Sequence, residues 1–558
     1  MESNNLPFYR THWFAVMVLA AITVTVLVPF AGKAFHIDEP LYLWSAKHIH
    51  ESPLDPYGFT KNWTGPYRPM WAINQNPPLL PYYIAAVALL FGFGETALHI
   101  SMILPAVAVV TGTYMLARRY TSMPFEAALL TLIAPVFMVS GAMVMCDMFM
   151  LSFWIWAVNF WLKGIDEGRH GFLALSAVFI SLAFLSKYFG VTLIPLLAAY
   201  TLYKKKSIGT WGLYLLIPIL TIITYQYVTY VQYGSGLFSR TFLLTASHKD
   251  RFTMNHLRYI AGLSFTGGCM ATALFYAPYI WKKKEILSSG IAACIVTILF
   301  CILAPKTNLY PLPCSTNAVL YILFAMFVFT AIEILRHAAG EFFRDKNPLS
   351  FLLMLWITGT FVFATFLNWT ISARVILPML PAVSILIMTM VQTRGGSGIK
   401  QRLAAIVLGL VLSLSVSAAD TSYANIARDA AAHVKERYTS PHVTIWFDGH
   451  WGFQYYMESY GFRPLDVHPD STLNKWDLIV VPDFRTNALM NPEALKPGLI
   501  NYVDKFEYQP SFRWISTMNR KYGANFYTSY YGPLPFTFAG VSPVEYKVYV
   551  VTEPFSLN

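Results

Sequence analysis

The sequence has little charge for its length. Only 12% of its 558 residues are charged, about half the usual share of soluble globular proteins, and 56% are hydrophobic. Apolar runs of about twenty residues recur through most of the chain. A soluble globular fold is therefore excluded, and the composition predicts an all-α polytopic membrane protein.

Cysteines and acids are also scarce. The five cysteines show no spacing typical of a metal or redox site, and 29 acids stand against 40 Lys and Arg, a formal charge of +11. Such a charge could point to nucleic acid, but the basic residues cluster between apolar runs, as membrane topology requires. We therefore expect membrane lipids, and no nucleic acid, among the partners. The clusters are Arg118-Arg119, Lys163 with Arg169, Lys204 to Lys206, Lys282 to Lys284, Arg336 to Lys346, and Arg394 to Arg402.

Placing all these clusters in the cytoplasm predicts thirteen crossings, with the N-terminus inside and the C-terminus outside. The predicted spans are 11–33, 97–117, 124–143, 148–164, 171–187, 189–203, 208–230, 256–280, 287–304, 315–336, 348–370, 374–392 and 403–419. The apolar segment Leu79 to Gly94 is short, and it would invert every later cluster if it crossed. We expect it to be a re-entrant or interfacial helix of the outer leaflet.

The predicted membrane topology divides the chain into two domains. Residues 1–420 are expected to form a transmembrane catalytic domain, whose first outer loop, 34–78, carries interfacial helices. Residues 421–558 are expected to lie outside the cytoplasm. There HVTIWFDG, GFQYYMESYG and WDLIVVPDF have the patterns of a strand, a helix and a strand. That order predicts a small soluble α/β domain with a partly parallel sheet.

Topology does not explain seven charged residues near the outer membrane surface. They are Asp38, Glu39, Arg68, Asp147, Lys187, Arg240 and Arg374. Charges among apolar residues carry a desolvation cost and are commonly functional. Each also has a structural alternative. Asp38-Glu39 could cap a helix that begins at Pro40. Asp147 could form a plain turn, and Lys187 and Arg374 could snorkel to the interface. Their convergence on one surface favours a functional site.

Two acids and two bases on one membrane surface suit the transfer of a sugar from a lipid phosphate. Lys187 and Arg374 would neutralise the donor phosphate, which is the leaving group. A carboxylate would take the proton from the incoming hydroxyl as general base. The second acid could orient the first, hold sugar hydroxyls or bind a divalent metal, so a metal cofactor stays open.

Several motifs, taken in order, resemble those of the GT-C glycosyltransferases. They are the Asp38-Glu39 pair, NPPLLPYYIAAVALLFGFGE, the lone Asp147, FLSKYFGVTLIPLL and ARVILPMLPAVSIL. The nearest branch is that of the protein O-mannosyltransferases and the lipid A aminoarabinose transferases. The resemblance covers about residues 10–420, and the thirteen-span count agrees with the aminoarabinose branch.

The resemblance implies an inverting transfer from a polyprenyl-phosphate sugar on the non-cytoplasmic face, in a bacterial inner membrane. It implies that Asp38 is the catalytic base and Asp147 the second acid, and Glu39 is a third candidate catalytic residue. The expected donor-phosphate ligands are Lys187, Arg374 and Arg240, and the expected substrate contacts are Tyr42 and Arg68.

Two departures from the family pattern leave the sugar and the acceptor open. Asn76 stands before Pro-Pro, where the family often has a basic residue or His. Val375 follows Arg374, where the family usually has Tyr. The acceptor can therefore be a glycolipid, a glycan or a protein.

A polytopic lipid or glycolipid transporter is the main alternative. It should carry ionisable residues near the bilayer midplane and internal symmetry, and the sequence shows neither. The loop Gly234 to Asn255 has an apolar and a basic face. It suits either an interfacial segment or a lid that orders over the donor.

Overall fold

Apolar helices make up most of the chain as far as Tyr438. The computed structural model describes residues 12–74, 76–252, 257–303, 318–394, 398–467, 471–483 and 498–557, with the backbone only for 245–252. The helices of the first half are α1 (His12–Leu27), α2 (Glu39–Glu51), α3 (Met70–Ile73), α4 (Leu79–Phe91), α5 (Glu95–Ala117), α6 (Pro124–Leu132), α7 (Pro135–Gly141), α8 (Cys146–Glu167), α9 (His170–Ser186) and α10 (Leu193–Lys205). Between α2 and α3, β1 (Thr60–Asn62) and β2 (Tyr67–Pro69) form an antiparallel hairpin.

The second half of the helical region begins after the three-lysine cluster that ends α10. Its helices are α11 (Trp211–Tyr214), α12 (Leu216–Tyr233), α13 (Leu237–Phe252), α14 (Leu257–Cys269), α15 (Ala277–Ile280), α16 (Lys283–Leu303), α17 (Ala318–Asp345), α18 (Pro348–Val362), α19 (Ala373–Ile376), α20 (Leu380–Arg394) and α21 (Ile399–Tyr438).

Nine candidate spans within the described residues are long and apolar enough to cross a membrane, and eleven if two bent pairs each count as one. The bends are 63° between α6 and α7 and 67° after α14. The chain is therefore an integral multi-pass membrane protein. The predicted count of thirteen is not confirmed. Two predicted spans, 171–187 and 189–203, correspond to α9 with 17 residues and α10 with 13, which are short for a crossing.

The apolar segment after the first outer loop forms a short helix, as predicted. This helix, α4, has 13 residues, and at about 1.5 Å per residue it is too short to cross a hydrocarbon core of about 30 Å. Its last residues Leu89, Leu90 and Phe91 are 74%, 78% and 71% exposed. An apolar helix end of this kind suits the lipid interface.

Basic clusters that are distant in the sequence meet at one end of the helix bundle. Arg119 and Lys204 both form ion pairs with Asp166, near the end of α8. The hydroxyl of Thr121 donates at 2.7 Å to the side-chain carbonyl of Gln392, in the last turn of α20. The cluster that follows α20 therefore adjoins the other two. Three of the clusters predicted to be cytoplasmic share this end.

The region after α21 contains the predicted strand, helix and strand. Its elements are β3 (Ile445–Phe447), α22 (Trp451–Ser459), β4 (Arg463–Pro464), β5 (Thr472–Leu473), β6 (Leu478–Pro482), β7 (Ile500–Tyr508), β8 (Met518–Asn519), β9 (Ala524–Asn525), β10 (Val544–Val551) and β11 (Phe555–Ser556). Five strands form a sheet in the order β4-β3-β6-β10-β7. In it β3 is parallel to β4 and β6, while β10 is antiparallel to both its neighbours, so the sheet is partly parallel.

The last long helix, α21, continues past the predicted span 403–419 to Tyr438. The part of α21 after residue 419 buries Ala424, Ala431 and Val434, which are spaced to face one side of a helix, and α21 packs against α22. Only this one face is apolar, and the segment as a whole has a polar composition. The sequence pattern therefore did not predict that the helix continues. The division at residue 420 stays a prediction, and α21 runs through it.

Candidate active site

Asp38 stands immediately before α2, at the capping position of the helix. Its side chain accepts no hydrogen bond from the helix N–H groups, so it does not act as a cap. Instead its Oδ2 accepts a hydrogen bond of 3.0 Å from Nη2 of Arg374. The predicted base and a predicted phosphate ligand therefore form an ion pair across 336 residues of sequence.

Asp147 joins the two predicted bases. It lies in the first turn of α8, where its Oδ1 accepts a hydrogen bond from the ammonium group of Lys187. Its Oδ2 lies 4.0 Å from Nη1 of Arg374. The four side chains thus alternate in charge in the order Lys187, Asp147, Arg374, Asp38, which we call the ion-pair chain.

The two ends of the ion-pair chain are more accessible than its middle. The side chains of Asp38 and Lys187 are 33% and 22% exposed, whereas that of Asp147 is 2% exposed. Asp38 is therefore the carboxylate that an incoming molecule can reach. The opposite end of α8 carries Asp166, about 28 Å away at 1.5 Å per residue, so the ion-pair chain lies far from the basic end.

Tyr42 lies beside the ion-pair chain in a network of hydrogen bonds. Its hydroxyl lies 3.1 Å from the sulfur of Cys146 and accepts a hydrogen bond of 3.0 Å from the side-chain amide of Asn76. The hydroxyl of Tyr57 donates to the backbone carbonyl of Asn76 at 2.8 Å. Burial raises the pKa of Tyr42 well above its usual value, so it stays a neutral hydroxyl. The sequence singled out only Tyr42 and the unusual Asn76.

Glu39 points away from Asp38 and into the protein. It is fully buried, and its two oxygens accept hydrogen bonds from the backbone N–H groups of His36, at 2.6 Å, and Val144, at 2.7 Å. Burial raises the pKa of Glu39 to about 7. The carboxyl group joins the loop before α2 to the chain before α8, the two segments that carry Asp38 and Asp147. Whether Glu39 has a catalytic role stays a prediction.

The other two predicted site residues lie elsewhere. Arg68 is exposed on β2, directly opposite Lys61 in the hairpin. Arg240 lies on α13, with its guanidinium 4.8 Å from the centre of the Trp71 ring. Neither side chain forms an ion pair with an acid of the ion-pair chain. Their predicted contacts to substrate and phosphate stay predictions.

A second buried ion pair lies near the site and was not predicted. Nζ of Lys33 is 2.6 Å from Oδ2 of Asp420, and each side chain is 1% exposed. The hydroxyls of Tyr527 and Thr517 each donate to Asp420 at 2.7 Å. Lys33 was a usable signal, because it is a base at the end of the first span that is predicted to lie outside, where it departs from the positive-inside trend.

No preformed metal-binding site is present in the part of the chain that the structure describes. Within those residues no three His, Cys, Asp or Glu side chains lie close enough together to hold an ion. Asp38 and Asp147 are each engaged by a base. A divalent metal therefore has at most the carboxylates of the ion-pair chain as ligands from this site.

Comparison with known families supports the class of the protein. Residues 75–229 match the family model described as dolichyl-phosphate-mannose-protein mannosyltransferase, and this segment contains Asp147 and Lys187. The predicted resemblance to the GT-C membrane glycosyltransferases is therefore confirmed. No curated protein sequence matches the chain at a significant level.

Some solved structures are also similar to this chain, and one of them is a glycosyltransferase by name. ArnT from Cupriavidus metallidurans bound to undecaprenyl phosphate is 16% identical, covers 85% of this chain and 94% of its own, and gives a TM-score of 0.43. The same protein in the apo state is 16% identical, with coverages of 84% and 92% and a TM-score of 0.40. Arabinofuranosyltransferase AftD from Mycobacteria is 12% identical, with coverages of 97% and 40% and a TM-score of 0.41.

Proposed function

We propose that this protein transfers a sugar from a polyprenyl-phosphate donor to a hydroxyl group of a lipid, glycan or protein. The observation that carries the proposal is the ion-pair chain, in which two bases alternate with two acids beside an accessible carboxylate. The family model over residues 75–229 adds support, because its description names a lipid-phosphate-linked sugar.

The two bases suit the phosphate of the donor. The side chains of Arg374 and Lys187 each pair with an acid but stay 15% and 22% exposed, so a phosphate can approach them. Its oxygens would replace one carboxylate partner of each base by charge-assisted hydrogen bonds. The bases would then stabilise the negative charge that grows on the phosphate as it leaves.

Asp38 suits the role of general base. When Arg374 turns toward the phosphate, the carboxylate of Asp38 loses its partner and can accept a hydrogen bond from the acceptor hydroxyl. The acceptor hydroxyl gives its proton to Asp38 as its oxygen attacks the anomeric carbon. The bond from that carbon to the phosphate oxygen breaks, and its electron pair leaves with the polyprenyl phosphate. Attack opposite the leaving group inverts the anomeric configuration.

Asp147 holds the two bases in place. It is buried, and it contacts both Lys187 and Arg374, so its carboxylate sets the spacing between them. A buried acid between two bases restrains both side chains, and Arg374 is restrained further by its bond to Asp38. We assign Asp147 to orientation of the phosphate ligands.

We propose that the site faces the extracytoplasmic side of a bacterial plasma membrane. Three basic clusters share the end of the bundle that holds Asp166, and cytoplasmic ends of membrane proteins are rich in Lys and Arg. The ion-pair chain lies at the other end of α8. A polyprenyl chain in the outer leaflet would bring its phosphate to that level.

Replacing Asp38 by Asn tests the proposal. We expect Asp38→Asn to lower the transfer rate by roughly 10²- to 10⁴-fold, because the amide cannot accept the proton, while the protein still binds undecaprenyl phosphate. Mass analysis of envelope lipids and glycoproteins from a deletion strain would first identify the sugar and acceptor to assay.

Asp166→Asn is the matched control for this test. It removes an aspartate that, like Asp38, forms ion pairs with basic side chains, but that lies at the opposite end of α8 from Asp147. We expect its transfer rate to stay near that of the wild type. Near-normal transfer by a folded Asp38→Asn protein would contradict the assignment of the base.

A further inference from the structure

The segment that carries Arg374 is held by the C-terminal region. The backbone N–H of Ala373 donates to the carbonyl of Phe526 at 2.9 Å, and the N–H of Ser529 donates to the carbonyl of Ile371 at 2.8 Å. These bonds flank Tyr527, whose ring centre lies 5.8 Å from the guanidinium of Arg374. The backbone before α19 and the side chain of Arg374 are thus both in contact with one short segment.

Tyr527 is itself fixed by the second buried ion pair. Its hydroxyl donates to Asp420, which also binds Lys33 and Thr517. Two charges taken out of water must be fully hydrogen-bonded to be tolerated, so this cluster has little freedom to rearrange. The hydrogen bond to Asp420 therefore fixes the ring of Tyr527 in its position beside Arg374.

The segment that carries Asp38 is held by another part of the same region. Ile37 has a φ of 51°, in the left-handed region, which a β-branched residue adopts only when its surroundings impose it. Next to it, the N–H of Phe35 donates to the hydroxyl of Tyr456 at 2.7 Å. A Cβ on Gly452 would lie 2.0 Å from the carbonyl oxygen of Phe35, so the backbones of these two segments are in direct contact.

The α22 side of this contact is strained as well. Trp451, the first residue of α22, has a φ of 61°. Its ring centre lies 6.5 Å from that of His36, whose Nε2 lies 3.3 Å from the sulfur of Met518. Strained residues on both sides of one contact indicate that the contact is imposed by the fold and not by local preference.

We propose that residues 451–456 and 516–529, which we call the C-terminal clamp, position Asp38 and Arg374 relative to each other. The proposal rests on the function proposed above and gives the C-terminal region a role in it. Tyr527 and Gly452 are positioning residues. Tyr527 orients the side chain of Arg374, which would bind the phosphate. Gly452 allows α22 to pack closely against Phe35, and this contact orients Asp38. The C-terminal region is therefore part of the catalytic unit and not a separate module.

Two variants separate the two halves of the clamp. Tyr527→Leu removes the ring beside Arg374, so we expect roughly tenfold weaker binding of undecaprenyl phosphate and a raised KM for the donor. Gly452→Ala forces Phe35 and Asp38 to move, so we expect a lower kcat with carrier binding near that of the wild type. A purely structural role would not split KM and kcat in this way.

Conservative variants provide the controls. Tyr527→Phe keeps the ring and should restore most of the carrier binding that Tyr527→Leu loses. Gly540→Ala adds a methyl group in the same region where nothing lies within 4 Å, and should change neither parameter. Unfolding midpoints would be compared for all four proteins. The proposal would be overturned if Tyr527→Leu and Gly452→Ala both kept wild-type kinetics and carrier binding. It would also be overturned if both variants changed KM and kcat to the same extent, in proportion to the loss in unfolding midpoint.

A structure of Tyr527→Leu by electron microscopy makes the test independent of the proposed function. We expect Arg374 to leave hydrogen-bond distance of Asp38 in this variant. An unchanged ion pair at 3.0 Å would overturn the clamp. Failure of the wild-type protein to bind undecaprenyl phosphate would instead contradict the proposed function, while this structural comparison would still decide the clamp.

Discussion

Asp38 and Glu39 are adjacent in sequence and lie in opposite environments. Asp38 precedes α2 and is partly exposed, whereas Glu39 opens the helix and is buried. Successive positions on a helix differ by about 100° in direction, so the start of α2 turns one acid outward and the other inward. The accessible acid suits proton transfer, and the buried one suits joining the segments that carry Asp38 and Asp147.

Glu39 should leave a signature in the pH dependence of stability. Its pKa is raised by burial from 4.5 to about 7, so the folded protein binds the proton more tightly than the unfolded chain does. The stability that this proton contributes is full below about pH 4.5 and is lost as the pH rises through about 7. We expect the unfolding midpoint of the wild type to fall relative to that of Glu39→Gln across this range.

The control for this measurement is Glu126→Gln, which alters an acid paired with Arg402. The difference in midpoint between this control and the wild type should show no comparable trend between pH 4.5 and 8. If the midpoints of the wild type and Glu39→Gln run parallel across that range, Glu39 does not take up a proton on folding.

Single residues also mark the limit of prediction from the sequence. Lys187 and Arg374 were predictable, because helix ends and charge clusters place them on one surface. The pair Lys33–Asp420 and its partner Tyr527 were not, because the folding of distant segments joins them. Lys33 departs from the positive-inside trend, but no local pattern marks Asp420 or Tyr527 as its partners. The adjacent acids could be placed at the site, but their directions depend on where α2 begins.

At the scale of elements, the segment before α14, which was predicted to be an outer loop, forms a helix. This helix, α13, is anchored at its start, where the N–H of Leu237 donates to the hydroxyl of Thr229 at 3.1 Å. Further along, Phe242 and Leu243 are 72% and 67% exposed. An anchored helix with exposed apolar residues suits the lipid interface, and it also suits a lid that closes on a polyprenyl chain. Arg240 lies between the anchor and the apolar residues.

Arg240 distinguishes a lid from an interfacial helix. If α13 closes on the donor, Arg240→Ala should weaken donor binding and abolish the protection of α13 from protease that donor confers on the wild type. Headgroup attraction alone would give equal proteolysis with and without donor. Arg169→Ala, which removes an exposed base near the start of α9, is the control and should behave as the wild type does.

A comparison of the elements shows which parts of the predicted thirteen-span topology the structure contains. Its short outer helix and its strand, helix and strand are present as α4, β3, α22 and β6. Periodicity and composition suffice for such elements, because each is uniform over its length. The continuation of α21 was missed, because a helix that leaves the membrane changes from apolar on all sides to apolar on one.

At the scale of the whole molecule, the charged residues separate along the helix bundle. Basic clusters meet at one end of α8, and the ion-pair chain lies at the other, about 28 Å away by helix rise. The C-terminal region contacts the segments that carry both Asp38 and Arg374. A site assembled from the segment before α2, two helix ends and the last part of the chain requires the complete fold.

The central claim is that Arg374 and Lys187 bind the phosphate of a polyprenyl carrier beside Asp38. A structure of the wild-type protein with undecaprenyl phosphate, determined by electron microscopy, tests it most directly. We predict the phosphate within about 3 Å of the guanidinium of Arg374 and the ammonium of Lys187, with the Asp38 carboxylate released from Arg374. A lipid phosphate bound elsewhere, with the ion-pair chain unchanged, would contradict the account.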